Sequence, residues 1–380
     1  MEDKKRYSNI EPVNAILNRL VNPDITANIV RYVMSFIGVL VIGSILILIQ
    51  GENPIKASVL IVEGAFGSLT AFGNTLRWAT PCLFTGAAAI VAFKSGVTNL
   101  GIEGQMYLGA IVSGYIGYAF ELPAGLHAIV CLLGAGIAGA IWVLIPAFMR
   151  LFFQINEYVT TMMMNFIACL LADFFVVWYV IPSLGITSPT VKTPDILQGA
   201  RLPNLIPGTS SSWGYLIGLM VTFTVYILYK YTIKGYELKQ VGENLTFAKV
   251  GGINVKKTFL SIFVISGFIA GLCGGVEVTG GYNKYISNFS TSMGWEGIMI
   301  ADISGHKPIA LILVSLVWGA LKTGAMYMER STSLNRLTVN LLQMIFVLLV
   351  AVDYEAILKY IRDRKQRKYN VLKAKEEVQM

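Results

Sequence analysis

The sequence predicts an all-α fold, a polytopic membrane bundle of about ten transmembrane helices with both termini cytoplasmic. Three observations predict it. Of 380 residues, 55% are apolar and only 14% are charged, against roughly 25% charged in an average soluble domain. The apolar residues collect in ten runs of about 20 residues, the length a helix needs to cross a bilayer. Lys and Arg lie between and beside these runs, with a strong excess on one side.

In chain order, residues 1–29 are polar and hold no apolar core of signal-peptide type. They read as a cytoplasmic segment, and the first apolar run as a retained anchor. The runs lie at 30–50, 76–93, 97–120, 126–149, 157–181, 213–232, 259–279, 285–303, 308–328 and 337–354. In lipid every backbone polar group must be satisfied within its segment, so such runs are helices. Residues 76–93 and 285–303 are short or rich in Gly and polar groups, and are candidates for re-entrant segments. The transmembrane domain then covers 30–354, followed by a basic cytoplasmic tail at 355–380. An even span count places both ends on one side. That side holds 22 of the 30 Lys and Arg, the other side seven, and Lys322 falls inside a run. The positive-inside rule assigns the richer side to the cytoplasm.

Two connecting segments stand out. Residues 182–212 form an outer loop with Pro182, Pro189, Pro194, Pro203 and Pro207. Prolines at this density exclude a long helix and predict an irregular cap. Residues 233–258 form the longest internal cytoplasmic segment. Within it Glu243 to Val250 can make a short helix, with an acidic start and Gly251-Gly252 at its end. It is either a solvated connector or a docking element for a cytoplasmic partner. Small residues recur every four positions at Gly267, Gly271 and Gly275, with Ser266, Ala270 and Gly274 beside them, and again at Gly109, Ser113 and Gly117. This spacing lets helix backbones approach closely in lipid.

No catalytic constellation is present. There is no HExxH, CxxC or GxSxG, and Gly-Lys never occurs, so no Walker A phosphate loop exists in this chain. Cys82, Cys131, Cys169 and Cys273 sit in apolar runs without metal-ligand spacing and read as small packing groups. The basic residues are spread along the membrane segments and give no nucleic-acid footprint. Ionisable residues at membrane depth are functional candidates. Those at Glu277, Asp302 and Lys322 lie near expected span ends and read as interfacial. Asp173 lies well inside the fifth span and must face a cavity or a partner helix. Glu103 sits in Asn99-Leu-Gly-Ile-Glu-Gly-Gln105, which reads as a capped helix start or as a polar site at a broken helix.

Four stretches carry a family resemblance: "LFTGAAAIVAFKSGVTNLGIEGQMYLGA" ending at Ala110, "INEYVTTMMMNFIA" at 155–168, "ARLPNLIPGT" at 200–209, and "GYELKQVGENLTFAKVGGINVKKTFLSIFVISGFIAGLCGG" at 235–275. With a looser match over 293–325, the chain resembles ATP-binding-cassette (ABC) importer permeases of the branched-chain amino acid, simple sugar and nucleoside class. It is most similar to nucleoside-type permeases served by basic-membrane-protein lipoproteins. It departs from them at Glu296-Gly297, where members usually carry Asp-Gly, and in the turn "ADISGHKP".

The resemblance implies a pore subunit that is not an enzyme and holds no cofactor, ATP being used by a partner. Its implied partners are two ABC ATPase domains, a second permease and an extracellular or periplasmic substrate-binding lipoprotein, all at the prokaryotic cell membrane. The coupling segment then matches Glu243, Asn244, Ala248, Gly251 and Gly252. The substrate-pathway candidates are Asn99, Glu103, Gln105, Asn156, Glu157, Asn165, Asp173 and Glu296, with interhelical hydrogen bonding as their other reading. Nucleosides rank first as substrate, ribose-like sugars second and branched-chain amino acids third. The competing function is a secondary transporter driven by a proton or sodium gradient, with Asp173 and Glu296 as coupling acids. A membrane enzyme on lipid-linked substrates would need an acid–base pair or metal site that the sequence does not offer.

Overall fold

The computed structural model describes residues 38, 41–184, 190–290 and 292–332, with isolated residues 337, 341, 344 and 345. The N-terminal segment 1–29, most of the expected last span at 337–354 and the tail at 355–380 lie outside the described residues. The chain divides into two units, one of Met1–Ala57 with Thr332–Met380 and one of Ser58–Ser331. In the first, the described residues include a helix at Val41–Ile49 and a turn through Gly51. The second unit is built of helices joined by loops, and no named strand occurs among the described residues.

Its helices are α1 (Pro54–Phe66, entering from the first unit), α2 (Leu69–Lys94), α3 (Ile102–Ala119), α4 (Leu126–Phe153), α5 (Glu157–Phe175), α6 (Gly214–Tyr231), α7 (Ile233–Glu243), α8 (Leu245–Val250), α9 (Val255–Glu277), α10 (Met293–Ile303) and α11 (Pro308–Ser331). One π-helical turn extends α5 over Val176–Val180 and another extends α9 over Val278–Tyr282. Six of these helices are long and apolar enough to cross a membrane: α2, α4, α5, α6, α9 and α11. Val41–Ile49 and α1 would count as a seventh if taken as one span. The chain is thus a multi-pass membrane protein.

Two expected spans take a different form. The run at 76–93 is part of a 26-residue helix whose polar first turns hid its start. Ser68 caps it, accepting from the Ala71 N–H at 3.0 Å. The run at 285–303 becomes a loop followed by the 11 residues of α10. At 1.5 Å per residue α10 is about 16 Å long, half the hydrocarbon thickness. Likewise the run at 97–120 starts without helix from Val97 to Gly101, and α3 takes over at Ile102.

The small-residue rows set the packing. Gly267, Gly271 and Gly275 face Gly139, Ala135 and Leu132 of α4, while Gly274 lies on the Met106 carbonyl of α3. Ser266, in the second row, donates to the Ala88 carbonyl of α2 at 2.9 Å. α9 is therefore held between α4 and the α2–α3 pair by backbone proximity. A Gly274→Ala methyl would intrude on the Met106 carbonyl and the Ala110 N–H. The expected result is a loss of about 1–3 kcal/mol of stability, read as a lower unfolding midpoint in detergent. An unchanged midpoint would refute this close contact.

The proline-rich segment behaves as the sequence predicts over its described part. Residues 190–212 hold one short 3₁₀ turn, Gln198–Ala200, and no long helix. The segment pairs with the loop that precedes α10. Thr193 N–H donates to Tyr285 O at 3.0 Å, Ile196 N–H to Asn283 O at 2.8 Å, and Ser287 N–H to Val191 O at 2.8 Å. Lys284 bonds Asp195 at 2.7 Å, which holds that carboxyl below the usual carboxylate range.

Candidate functional site

Where α3 begins, the sequence breaks a helix inside the bundle, and freed backbone groups there must find partners. Asn165 of α5 supplies two of them. Its Oδ1 accepts from Gly104 N–H and its Nδ2 donates to Leu100 O, both at 2.8 Å. Thr161 accepts from Leu100 N–H at 3.2 Å. Asn99 and Gln105 form a reciprocal amide pair, at 2.9 and 3.0 Å, and Asn99 also donates to Ser266 at 2.9 Å. Asn99, Gln105 and Asn165 are thus buried and spent on the protein itself. Asn165→Ala strands two backbone groups at about 1–3 kcal/mol each. The expected result is a marked fall in the unfolding midpoint, with Asn165→Asp, which keeps the acceptor, between the two. An alanine variant as stable as the parent would remove this role.

Glu103 joins two helix beginnings. It lies in the first turn of α3, and its carboxylate accepts from Ser290 Oγ and from Gly294 N–H, the latter at 2.5 Å, in the first turn of α10. Negative charge at a helix N-terminus is favourable, and here one carboxylate serves two helix dipoles. The N-termini meet closely because Gly294 has no Cβ to clash with Glu103. Glu103 and Glu296 both stand in the first turn of their helices, α3 and α10.

The other candidates are dispersed. Asn156 caps α5 by accepting from Tyr158 N–H at 2.9 Å, and Glu157 pairs with Arg150 at 3.0 Å. Both sit at the end of the bundle that carries α7 and α8. Asp173 accepts from Tyr285 at 2.9 Å and Ser287 at 2.7 Å, tying α5 to the loop before α10. Glu296 binds Lys322 at 2.6 Å and accepts from Trp318 Nε1 at 3.3 Å.

Two acid–base pairs depart from the sequence reading. Glu277 is buried, with 1% of its side chain exposed, and grips Arg77 in a bidentate pair at 2.9 and 2.6 Å. Lys322 is also largely buried, against Glu296. Glu277 and Lys322 thus do not reach out to water as charges read as interfacial would, because each has a largely buried partner on another helix. Asp302 does lie exposed, beside His306 at 2.9 Å. Trp78 stands between the pairs, with Arg77 Cζ 5.4 Å and Lys322 Nζ 4.9 Å from its ring centre.

Arg77, of the first pair, and Trp78 border a cavity of about 620 Å³. Asn74, Arg77 and Trp78 of α2 line it, with Tyr282 from the π turn of α9 and Tyr327 of α11. The Arg77 guanidinium also lies 5.3 Å from the Tyr282 ring centre. None of the eight sequence candidates lines this cavity. The available signal was Arg77 itself, a basic residue beside Trp78, whose place at the second position of the run at 76–93 made it read as a span-end charge.

At the opposite end, α7 and α8 form the segment between α6 and α9. Asn244, not Glu243, starts α8. Its Oδ1 accepts from Thr246 and Phe247 N–H, each at 3.0 Å. Glu243 closes α7 and pairs with Lys239 at 3.4 Å. Gly251 and Gly252 end α8, Gly252 at φ +79°. Ala248 is fully buried with Leu238, Val241, Val143 and Phe263. Leu245, Phe247 and Val250 are exposed by 55%, 58% and 84%, an apolar surface the sequence reading did not single out.

The family described as "Branched-chain amino acid transport system / permease component" matches residues 71–351. The chain is 30% identical to the Guanosine ABC transporter permease protein NupP of Bacillus subtilis (strain 168), over 82% of this chain and 90% of that protein. It is 28% identical to the Nucleoside ABC transporter permease protein NupB of Lactococcus lactis subsp. cremoris (strain MG1363), over 75% and 80%. It is 27% identical to the Glucose ABC transporter permease protein TsgB13 of Haloferax volcanii, over 83% and 85%. A match of this extent, on a chain of apolar helices with broken segments at α3 and α10, means that this protein belongs to the branched-chain amino acid transport permease family and is an ABC transporter permease.

Proposed function

We propose that this permease moves nucleosides across the prokaryotic cell membrane by alternating access, driven by ATPase subunits that dock on α7 and α8. In this reading ten spans leave both termini in the cytoplasm, on the α7–α8 side, and the proline-rich segment faces a substrate-binding lipoprotein. A second permease completes the pathway. The chain itself has no cofactor and spends no ATP. ATP binding in the partner shifts the population between inward- and outward-facing forms through its differential grip on α8.

The observation that carries the substrate reading is the cavity beside Trp78. A nucleoside needs an aromatic surface for its base and polar groups for its sugar. Trp78, Tyr282 and Tyr327 offer the first, and Asn74 and Ser210 the second. Charge also discriminates. Arg77 is matched by Glu277 and Lys322 by Glu296, and both Glu63 and Arg330 line the wall. Matched charges suit a neutral polar solute better than an ion.

Base–aromatic stacking is worth about 1–3 kcal/mol, so Trp78→Ala should weaken half-saturation for guanosine by about tenfold or more, while Trp78→Phe keeps most of it. The measurement is radiolabelled guanosine uptake by the assembled transporter, with unlabelled uridine and ribose as competitors. Competition by ribose alone, or saturable uptake unaffected by Trp78→Ala, would overturn the assignment.

A further inference from the structure

A second cavity, of about 680 Å³, lies at the α7–α8 end of the bundle, between α6 and α11. Its rim is basic. Lys94 closes α2, Lys230 lies in the last turn of α6, Lys239 is on α7 and Lys307 precedes α11. Among the described residues no carboxylate pairs with Lys94, Lys230 or Lys307, while Lys239 reaches Glu243 at 3.4 Å across an exposed surface. The nearby Asp302 is engaged with His306, whose ring abuts Phe93. The cavity lining thus carries four lysines and no acid. Tyrosines support the ammonium groups. Lys94 Nζ lies 4.9 Å from the Tyr229 ring centre, and Tyr226 OH accepts from Lys230 at 2.6 Å.

Below the rim the wall turns apolar. Ile309, Leu313 and Val317 of α11 fall four residues apart on one face and are 53%, 67% and 51% exposed. Met220 and Phe223 of α6, exposed by 61% and 53%, continue the apolar surface away from Tyr226. Four cations above an apolar track between two membrane helices match a phosphate headgroup with its acyl chains attached.

We propose that this cavity is a binding site for an anionic phospholipid of the cytoplasmic leaflet, with the phosphate among Lys94, Lys230, Lys239 and Lys307 and an acyl chain along Ile309 and Leu313. The leaflet rests on the orientation given under the proposed function; the binding chemistry does not. Beside the α7–α8 segment, an occupied site would brace the surface on which the ATPase docks.

The test uses the purified full chain in neutral detergent, without ATP or partner subunits. Phosphatidylglycerol, phosphatidylcholine and inorganic phosphate are added separately. Retained lipid is counted by native mass spectrometry, and the unfolding midpoint is followed. Phosphatidylglycerol should be retained and raise the midpoint, while the other two should not. A basic residue near an anionic headgroup contributes about 1 kcal/mol, about fivefold in affinity, so Lys94→Gln and Lys307→Gln should each weaken retention by about that factor. Lys307→Arg should retain it, and Leu313→Asp should weaken it through the chain end. Equal retention of phosphatidylcholine, an equal midpoint rise from inorganic phosphate, or full phosphatidylglycerol response in the Lys94 and Lys307 variants would overturn the proposal. Since binding is read without transport, failure here leaves the nucleoside reading standing, and failure of guanosine uptake leaves this one standing.

Discussion

Replacing Leu245 and Phe247 together by aspartate is expected to abolish ATP-driven uptake while the chain still inserts and folds. Both side chains are more than half exposed on a six-residue helix, so most of their apolar surface packs against nothing in the fold. In the proposed function they meet the ATPase. Central apolar anchors of an interface commonly cost 2 kcal/mol or more each when removed, and a carboxylate on the patch adds desolvation. Two such losses should lower affinity for the ATPase by about a thousandfold. The measurement is co-purification of the ATPase with the permease, followed by uptake in reconstituted vesicles. Undiminished co-purification would remove α8 as the docking surface. Ala248→Leu provides the contrasting case. Ala248 is fully buried beneath the helix, so a larger side chain there is expected to lower stability by about 1–3 kcal/mol through overpacking. It lifts α8 off its seat without touching the exposed anchors.

The second large effect concerns Arg77 and Glu277. Glu277→Gln removes the charge that balances a guanidinium with only 11% of its side chain exposed. Breaking one partner of a buried pair costs about 3–5 kcal/mol, because the remaining charge stays uncompensated. Replacing both, as Arg77→Met with Glu277→Leu, should restore most of that stability, since an apolar pair of similar volume can substitute for a buried ion pair. Uptake should stay low in the double variant, because Arg77 lines the cavity and orders Trp78 and Tyr282. Thermal unfolding and guanosine uptake, measured on the parent and both variants, separate the two roles. Full uptake in the double variant would show that the pair serves stability alone.

The long apolar runs were legible because lipid leaves the backbone one economical solution, and period and length report it directly. The helices α4, α5, α6, α9 and α11 follow from composition, and the glycine row of α9 announced its close packing before any neighbour was known. The breaks at Val97–Gly101 and before Met293 were signalled only as glycine and polar residues in otherwise apolar runs. The α8 segment was placed two residues early at its start, at Glu243 instead of Leu245, and correctly at its end, since Gly251-Gly252 is strong local punctuation.

The candidate site was less legible. Asn99, Gln105 and Asn165 stood out as polar residues at membrane depth, yet polarity alone does not tell a substrate contact from a backbone latch. That distinction depends on which carbonyl or N–H lies within 3 Å, and those partners come from other helices, such as Leu100 for Asn165 and Ser266 for Asn99. Arg77 and Glu277 are 200 residues apart, and no local pattern links them.

By itself the sequence determined the class, a helical membrane permease, and the place of its short α8 segment, because hydrophobic length and capping residues act over a few turns of one chain. Only the tertiary structure decided that Glu103 joins two helix beginnings, that Arg77 and Lys322 are neutralised in pairs beside Trp78, and that Leu245, Phe247 and Val250 face outward while Ala248 faces in. Charge pairing, backbone satisfaction and side-chain facing are relations between distant segments, and they acquire values only when packing brings those segments within a few ångströms.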